Sequence, residues 1–455
     1  MHKRAALLFL ITTQLLAAAY AGPPALPAGV LTDAPAIPIG LGFEPSYEPS
    51  FANIDENNGV LPIAGFWELR AGLRTQSDSD QRNTSIAESR LQLEMQKEFE
   101  SFVLNFTTDL LYDTVDRQRS IDLEQGKGWL DIREANIEFS PTDLIDVKLG
   151  RQILTWGTGD LVFINDMFSK DWNSFFNGRD EEYLKAPSDA IKASFFDTLV
   201  NVDLIINPHF DADRYIDGRR ISFFNPMLGE ISGQNNLVKT KQPHGSEISL
   251  RLYQTVGAYE LALYGYNGYW KSPAGVEPAT GLSIFPELEV YGASVRGPVS
   301  NGIANIEMGY YNSKEDKTGD NPFITNSEFR FLAGFEQELL KDLTIGVQYY
   351  LEWLMDYGKY RDSQGSASHH RDKYRHLLTT RLTWLTRNQN MRWSLFGYYS
   401  PSDDDGYLRP KVHYKIDDQW SAEIGGNFFM GERKETFFSQ FRHNNNLFAA
   451  IRYGF

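Results

Sequence analysis

From Leu61 onward, apolar and polar residues alternate in segments of about ten residues, the length a tilted strand needs to cross a bilayer. In the first segment Trp67, Leu69, Ala71 and Leu73 fall on one face and Glu68, Arg70, Gly72 and Arg74 on the other. In the second, Leu91, Leu93 and Met95 oppose Glu88, Arg90, Gln92, Glu94 and Gln96. A period of two is a strand pattern, not a helical one. It continues near 101–112, 128–140, 143–154, 189–197, 199–207, 246–254, 257–268, 286–296, 302–312, 326–339, 342–354, 374–386, 390–400, 406–415, 418–429 and 446–455. The links between segments alternate in length. Tight ones sit at 98–100, 140–143, 197–198, 256–257, 298–301, 341–342, 387–390 and 417–418. Long ones sit at 76–85, 113–127, 155–188, 208–245, 269–285, 313–325, 355–373 and 430–445, with 401–405 the weakest member. The pattern predicts an all-β fold for 61–455: a transmembrane antiparallel up-and-down β-barrel of about 18 strands, with 16 or 14 as alternatives. Short periplasmic turns and long outer loops would connect the strands.

The two ends of the chain agree with that expectation. His2, Lys3 and Arg4 precede an apolar stretch from Ala5 to Ala18, and Ala19-Tyr20-Ala21 forms a small-residue cleavage site before Gly22. This predicts a signal peptide over 1–21, cleaved after Ala21. Residues 22–60, rich in Pro and Gly, are expected to be a periplasmic or lumen-tucked segment, with docking of a periplasmic partner as one use. At the other end Leu447, Ala449, Ile451, Tyr453 and Phe455 share one face of the last strand. A terminal aromatic on such a strand resembles the C-terminal signature of bacterial outer-membrane barrels. That resemblance implies that Tyr453 and Phe455 form the assembly signal, with the outer-membrane barrel assembly machinery as a partner.

Composition removes several alternatives. The chain has no Cys, which excludes disulfides and thiolate metal sites. After residue 21 no run reaches the ~18 apolar residues of a membrane helix. The mean hydropathy of -0.40 suits a barrel, because half of each strand faces a wet lumen. Aromatic residues make up 14% of the chain, a share that interfacial girdles would account for. The formal charge of -16 argues against nucleic acid. It fits acidic outer loops that share divalent cations with lipopolysaccharide in an outer-membrane lipid environment.

A channel works through its inward face. The inward positions include the basic residues Arg70, Arg74, Arg90, Arg251, Arg330, Arg375, Arg381, Arg392 and Arg452. One segment alternates Arg409, Lys411, His413 and Lys415 with Leu408, Pro410, Val412 and Tyr414. Charges turn inward because lipid-facing ones cost a few kcal/mol. Such a ladder either solvates and braces the wall or forms one charged side of a selectivity path. Inward acids, among them Glu88, Glu94, Asp109, Glu307, Glu328, Glu352 and Glu423, are about as numerous. They limit any lean towards anionic solutes.

The most distinctive internal stretch starts with Gly150-Arg151-Gln152, continues through Trp156-Gly157 and an Asp/Asn-rich link, and returns at Lys185-x-Pro187. This pattern resembles an uncharacterised proteobacterial outer-membrane barrel family, similar to alginate-export and phosphate-selective porins. The resemblance implies passage of a solute and no chemistry. A link as long as 155–188 is usually functional. Folded into the barrel, it would supply constriction residues: Trp156, Asp160, Asp166, Asp171, Trp172, Arg179 and Lys185. The alternative is an external cap. The next link, 208–245, carries Arg214, Arg219, Arg220, Lys239 and Lys241 and would share the mouth.

Catalysis is not indicated. The histidines are mostly isolated in loops, whereas nucleophilic hydrolysis needs a His beside Ser and Asp. His369-His370 with Asp372 reads as a solvated loop, and Ser402-Asp403-Asp404-Asp405 as a hydrated hairpin tip without the spacing of a calcium loop. The chain is therefore expected to be no enzyme, without cofactor or metal. It would be an outer-membrane channel for small hydrophilic, with some lean to anionic, solutes, constricted by 155–188. The alternatives are an export or conduit barrel with a periplasmic partner, or a hydrophobic-compound transporter.

Overall fold

The structure, a computed structural model, describes residues 63–116, 120–226, 228–364 and 370–455. The expected signal peptide, the segment 22–60 and His369 lie outside the described residues. β1 (Ile63–Arg74), β2 (Thr84–Glu98), β3 (Val103–Asp113), β4 (Leu130–Thr142), β5 (Ile145–Ile153), β6 (Pro187–Phe195) and β7 (Asn201–Asn207) follow in order. The next link carries three short strands, β8 (Phe223–Asn225), β9 (Glu230–Ser232) and β10 (Thr240–Lys241). β11 (Glu247–Val256) and β12 (Tyr259–Tyr269) come next, then two more short strands, β13 (Gly275–Glu277) and β14 (Leu282–Ile284). β15 (Glu287–Val299), β16 (Gly302–Ser313), β17 (Glu328–Leu340), β18 (Leu343–Leu354) and β19 (Tyr374–Thr386) follow. The last four are β20 (Met391–Ser400), β21 (Asp405–Lys415), β22 (Trp420–Met430) and β23 (Asn446–Gly454).

Leaving aside the five short strands, all of these form one 18-stranded sheet in which each strand pairs antiparallel with its neighbours. The sheet closes where β1 meets β23, from Phe66↔Gly454 to Arg74↔Asn446. Phe455 adds reciprocal main-chain bonds to Gly65, each 3.0 Å. The barrel is thus the expected one, with eighteen strands, and the alternating links have the expected phase.

Period-two alternation explains which face each residue takes. Leu263 (58% exposed), Ile424 (60%) and Leu447 (52%) point outward with Trp67, Leu69, Leu261, Ile306, Leu395 and Ile451. At the end carrying the short turns, Trp384 stands in register with Trp393, and the Trp420 and Tyr453 rings lie 4.9 Å apart. At the loop end Trp353 and Tyr374 lie 5.7 Å apart. An apolar belt around a whole barrel far exceeds the few hundred Å² a water-soluble monomer leaves exposed. With aromatic rows at both rims, it makes this a transmembrane barrel. Leu263→Arg, mid-strand on the outer face of β12, is expected to cost about 2–4 kcal/mol when the barrel folds into a bilayer. Denaturant titration in vesicles measures this; an unchanged midpoint would mean that this face does not meet lipid.

Candidate functional site: the lumen and its inner loop

The inner loop, 154–186, leaves the end of β5 through Gly150-Arg151-Gln152. Gly150 has φ +116, and a Cβ there would lie 2.4 Å from the Ala135 carbonyl oxygen. That left-handed backbone suits glycine alone. Arg151 then donates to the Ile132 and Leu123 carbonyls, each at 2.7 Å. Gln152 donates to the Ala190 carbonyl on β6 at 3.0 Å. The motif is a brace: it ties β4, β5, β6 and the 114–129 link together where the loop departs.

The first leg of the loop is held by one wall carboxylate. Glu307 on β16 accepts through Oε2 from the Thr158 N–H (2.8 Å), the Gly159 N–H (3.2 Å) and the Thr158 hydroxyl (3.0 Å). Its Oε1 accepts from the Asn165 N–H (2.8 Å) and side-chain amide (3.0 Å). Gln348 on β18 both accepts from the Asp160 N–H and donates to its carbonyl, each at 2.8 Å. Two tyrosine hydroxyls from the wall, Tyr311 and Tyr398, donate to the carbonyls of Ile164 and Leu161. A loop inside a barrel needs such partners, because buried main-chain groups left unpaired are costly.

The middle of the loop is a short helix, α1 (Trp172–Asn177), capped by Asp171, whose Oδ1 accepts from the Ser174 N–H at 2.7 Å. α1 ends at Gly178, whose φ of +93 is left-handed. A side chain there would collide with the Phe448 ring on β23, which would lie 2.4 Å from its Cβ. The helix drives Phe176 into a cluster of rings: Tyr407 at 5.4 Å, Phe429 at 5.2 Å and Phe441 at 5.2 Å. The barrel thus has a hydrophobic core on its inside, built from this loop and from inward residues of β12 and β15 to β22.

The second leg meets guanidinium groups. Arg70 on β1 donates to the Gly178 carbonyl (2.7 Å) and pairs with Glu68 and Glu423, both at 2.8 Å. Arg409 on β21 donates to the Arg179 carbonyl (2.7 Å) and lies over the Phe175 ring. Arg179 itself binds Glu88 on β2 at 2.5 Å. Arg381 on β19 clamps the loop twice, through Asp160 (2.5 Å) and Glu181 (3.3 Å). Arg452 on β23 holds Glu68 at 2.8 Å and stands 3.6 Å from both Asp180 and Glu182. Arg133 on β4 donates to the carbonyls of Glu182 and Lys185. Arg90 and Arg133 both lie over the Tyr183 ring, at 3.9 and 4.6 Å from its centroid. Burial pushes the Glu181 carboxyl up, but Arg381, Lys411 and Arg409 outweigh it and bring it to about 2. Burial and Asp180 push Glu182 the other way, to about 7, against the pull of Arg452 and Arg133. Burial lowers Lys185 to about 8.

The structure brings most of the expected site residues together, and several do other work than expected. Arg70, Arg90, Arg381, Arg409, Lys411 and Arg452 all face the lumen, but carboxylates hold all except Arg409: Arg90 is paired with Glu88 and Asp109, and Lys411 with Glu423. Asp166 pairs with Lys170 at 3.0 Å. Trp156 packs edge-on against Phe168, and Trp172 stacks with Phe176. Lys185 is linked to Lys170 by an isolated bridge between the two legs. Arg392 faces inward in register with His413. Arg74 sits at the loop end, donating to the Arg220 carbonyl at 2.5 Å. Lys415 sits at the opposite rim, half exposed and paired with Asp418. These two lie apart from the cluster. The second long link does share the mouth: Arg214 bonds to Asp131 at 2.7 Å and stands 3.5 Å from Asp171.

Two expectations need correction. The run 402–405 is not a hydrated tip, since Asp403 binds Arg375 (2.6 Å) and Asp405 is buried, accepting from the Phe438 N–H (2.7 Å). Rim girdles account for only part of the aromatic share, because Tyr266, Tyr311, Tyr350, Phe396, Tyr398, Tyr407 and Phe429 are buried on the inward side. The sequence places Glu307 among the inward acids but shows neither its task nor a role for Gln348. The signal for the rings was their phase: Phe396 and Tyr398 alternate in step with Arg392 on β20.

No protein-family model and no curated protein matches the sequence. Among solved structures, OccAB1 of Acinetobacter baumannii is 10% identical, with 87% of this chain and 95% of that chain covered and a TM-score of 0.50. A triple mutant of the Rh. blastica porin is 9% identical over 87% and 100% of the two chains, with a TM-score of 0.40. OmpT of Vibrio cholerae with loop L8 deleted, an outer membrane protein, is 10% identical over 87% and 99%, with a TM-score of 0.39. The likeness to OccAB1 is one of fold: this chain is built on the same closed barrel architecture.

Proposed function

We propose that the protein is an outer-membrane, porin-like channel for small hydrophilic solutes, with the loop 154–186 as its constriction. The observation that carries this reading is the combination of a lipid-facing closed barrel with a charged lumen crossed by a loop tied to opposite walls. A loop so held narrows an eighteen-stranded barrel, a size that otherwise encloses a wide aqueous path. The short turns would face the periplasm and the long loops the cell exterior, as in barrels of this kind. The N-terminal basic and apolar stretch and the terminal Phe455 support export and outer-membrane assembly.

The lean towards anions rests on β19 to β21. Arg381 and Arg409 flank Phe396 in register, and Arg392 lies two residues from Ser394, which is in register with Lys411. Loop carboxylates already neutralise Arg381 and Glu423 holds Lys411, so the charge left to act on a solute is that of Arg392 and Arg409. In planar bilayers we expect ohmic conductance that rises when 157–183 is deleted. In a salt gradient, the Arg392→Glu and Arg409→Glu double variant should shift the reversal potential towards cation preference. An unchanged reversal potential would sink the assignment of the path to these strands, and absence of conductance in both loop forms would sink the channel reading.

A further inference from the structure

Around the Arg452 guanidinium the lumen holds more carboxylates than cations can satisfy. Glu68 takes the close position at 2.8 Å and is shared with Arg70, also at 2.8 Å. Asp180 and Glu182, both on the loop, stand 3.6 Å from the same guanidinium. The other groups facing this spot do not redress the balance. On β4, Arg133 gives a donor to the main-chain carbonyls of Glu182 and Lys185. On β2, Arg90 is taken by Glu88 and Asp109, while Glu94, near Asp109 and Arg452, adds a further acid. On β21 and β22, Lys411 and Arg70 are both paired with Glu423, beside His413. Glu182 keeps only the long 3.6 Å pairing with Arg452, and its buried Oε1 has no hydrogen-bond partner among the described residues. A buried carboxylate oxygen without a donor is costly, whereas the neutral acid carries its own proton to give.

We infer that Glu182 is a proton-operated latch: neutral, it lets the second leg of the loop seat against β1, β4 and β23; ionised, it loosens that leg. The inference rests on the channel reading only for its effect on conductance. Its direction follows from linkage. A carboxyl whose folded-state value is raised stabilises the seated loop fully below the ordinary carboxylate range, and this stabilisation is lost as pH rises through the folded value. For Glu182 that value is about 7. The constriction should therefore be tightest in mild acid and looser in mild base. Asp211, in the 208–246 link, is also pushed up to about 7, by burial, with Lys271 opposing and Glu124 and Glu247 assisting. A pH effect alone would not separate the two.

The test is single-channel conductance of the full-length protein from about pH 5.5 to about pH 8.5, beside limited proteolysis of 154–186 in the detergent-folded barrel. Wild type should gain at least about twofold in conductance, and lose loop protection, through one transition near neutrality. Glu182→Gln should stay at the acid level throughout, while Asp211→Asn keeps the wild-type transition. A transition that survives in Glu182→Gln, or wild-type loop protection that does not change with pH, overturns the latch. If protection follows Glu182 but no current flows at any pH, the channel reading fails and the latch stands. Should Glu182→Gln not fold, the pH dependence of loop protection in wild type and Asp211→Asn decides alone.

Discussion

Glu307→Ala is expected to release the first leg of the inner loop while leaving the barrel closed. The carboxylate accepts from three main-chain N–H groups, those of Thr158, Gly159 and Asn165, and from two side chains. Each buried donor left without an acceptor costs about 1 to 3 kcal/mol. Three of them exceed a factor of ten in the released fraction, since ~1.4 kcal/mol is tenfold. Proteolysis within 154–186 should accelerate accordingly, and open-channel conductance should rise. Glu307→Gln keeps one acceptor oxygen and should fall between. If the loop of a correctly folded Glu307→Ala barrel is as protected as in wild type, the first leg is held by Gln348 and the tyrosines, and the role given to Glu307 is wrong.

Phe176→Ala should have an effect of similar size by a different route. The ring contacts Trp172, Phe175, Tyr407, Phe429 and Phe441. Truncating a buried Phe costs about 3–5 kcal/mol, part of it for the cavity left behind. The helix would keep its polar ties but lose its seat, so the channel current should flicker between two levels. Phe437→Ala is the control, because that ring stands at the edge of the same cluster and is 44% exposed. Its current should stay steady. Steady current from both variants would mean that the aromatic cluster does not position the loop.

How much of this was legible follows from how far each signal reaches along the chain. Strands were legible because period two is local: 374–386 is found where the pattern put it, as β19, and most other boundaries move by one or two residues. The inward charges were legible for the same reason. Their tasks were not, because the partner of Glu307 lies at Asn165 and that of Arg381 at Asp160, and no local pattern announces pairing over such separations. The inner rings were misassigned for a physical reason as well. An aromatic side chain suits both a membrane rim and a packed interior, so composition could not separate the two. Only the phase of Phe396 and Tyr398 with Arg392 does so. The Gly150-Arg151-Gln152 pattern is visible in the sequence, but its work in shaping the departure of the loop depends on Leu123, Ile132 and Ala190, which no local pattern names.

The second leg of the loop also bears on how the cylinder is fastened. β1 and β23 are the first and last strands, and the only covalent path between them runs round the whole barrel. Across their junction Arg70 takes the Gly178 carbonyl from one side, while Arg452, next to Asp180 and Glu182, takes Glu68 from the other. The Phe448 ring closes over Gly178 between them. The loop is therefore a staple across the join, applied from within. On the proposed reading, contacts that narrow the passage are the same ones that keep the first strand beside the last, so a chain that loses this loop's seat also loses part of its clasp.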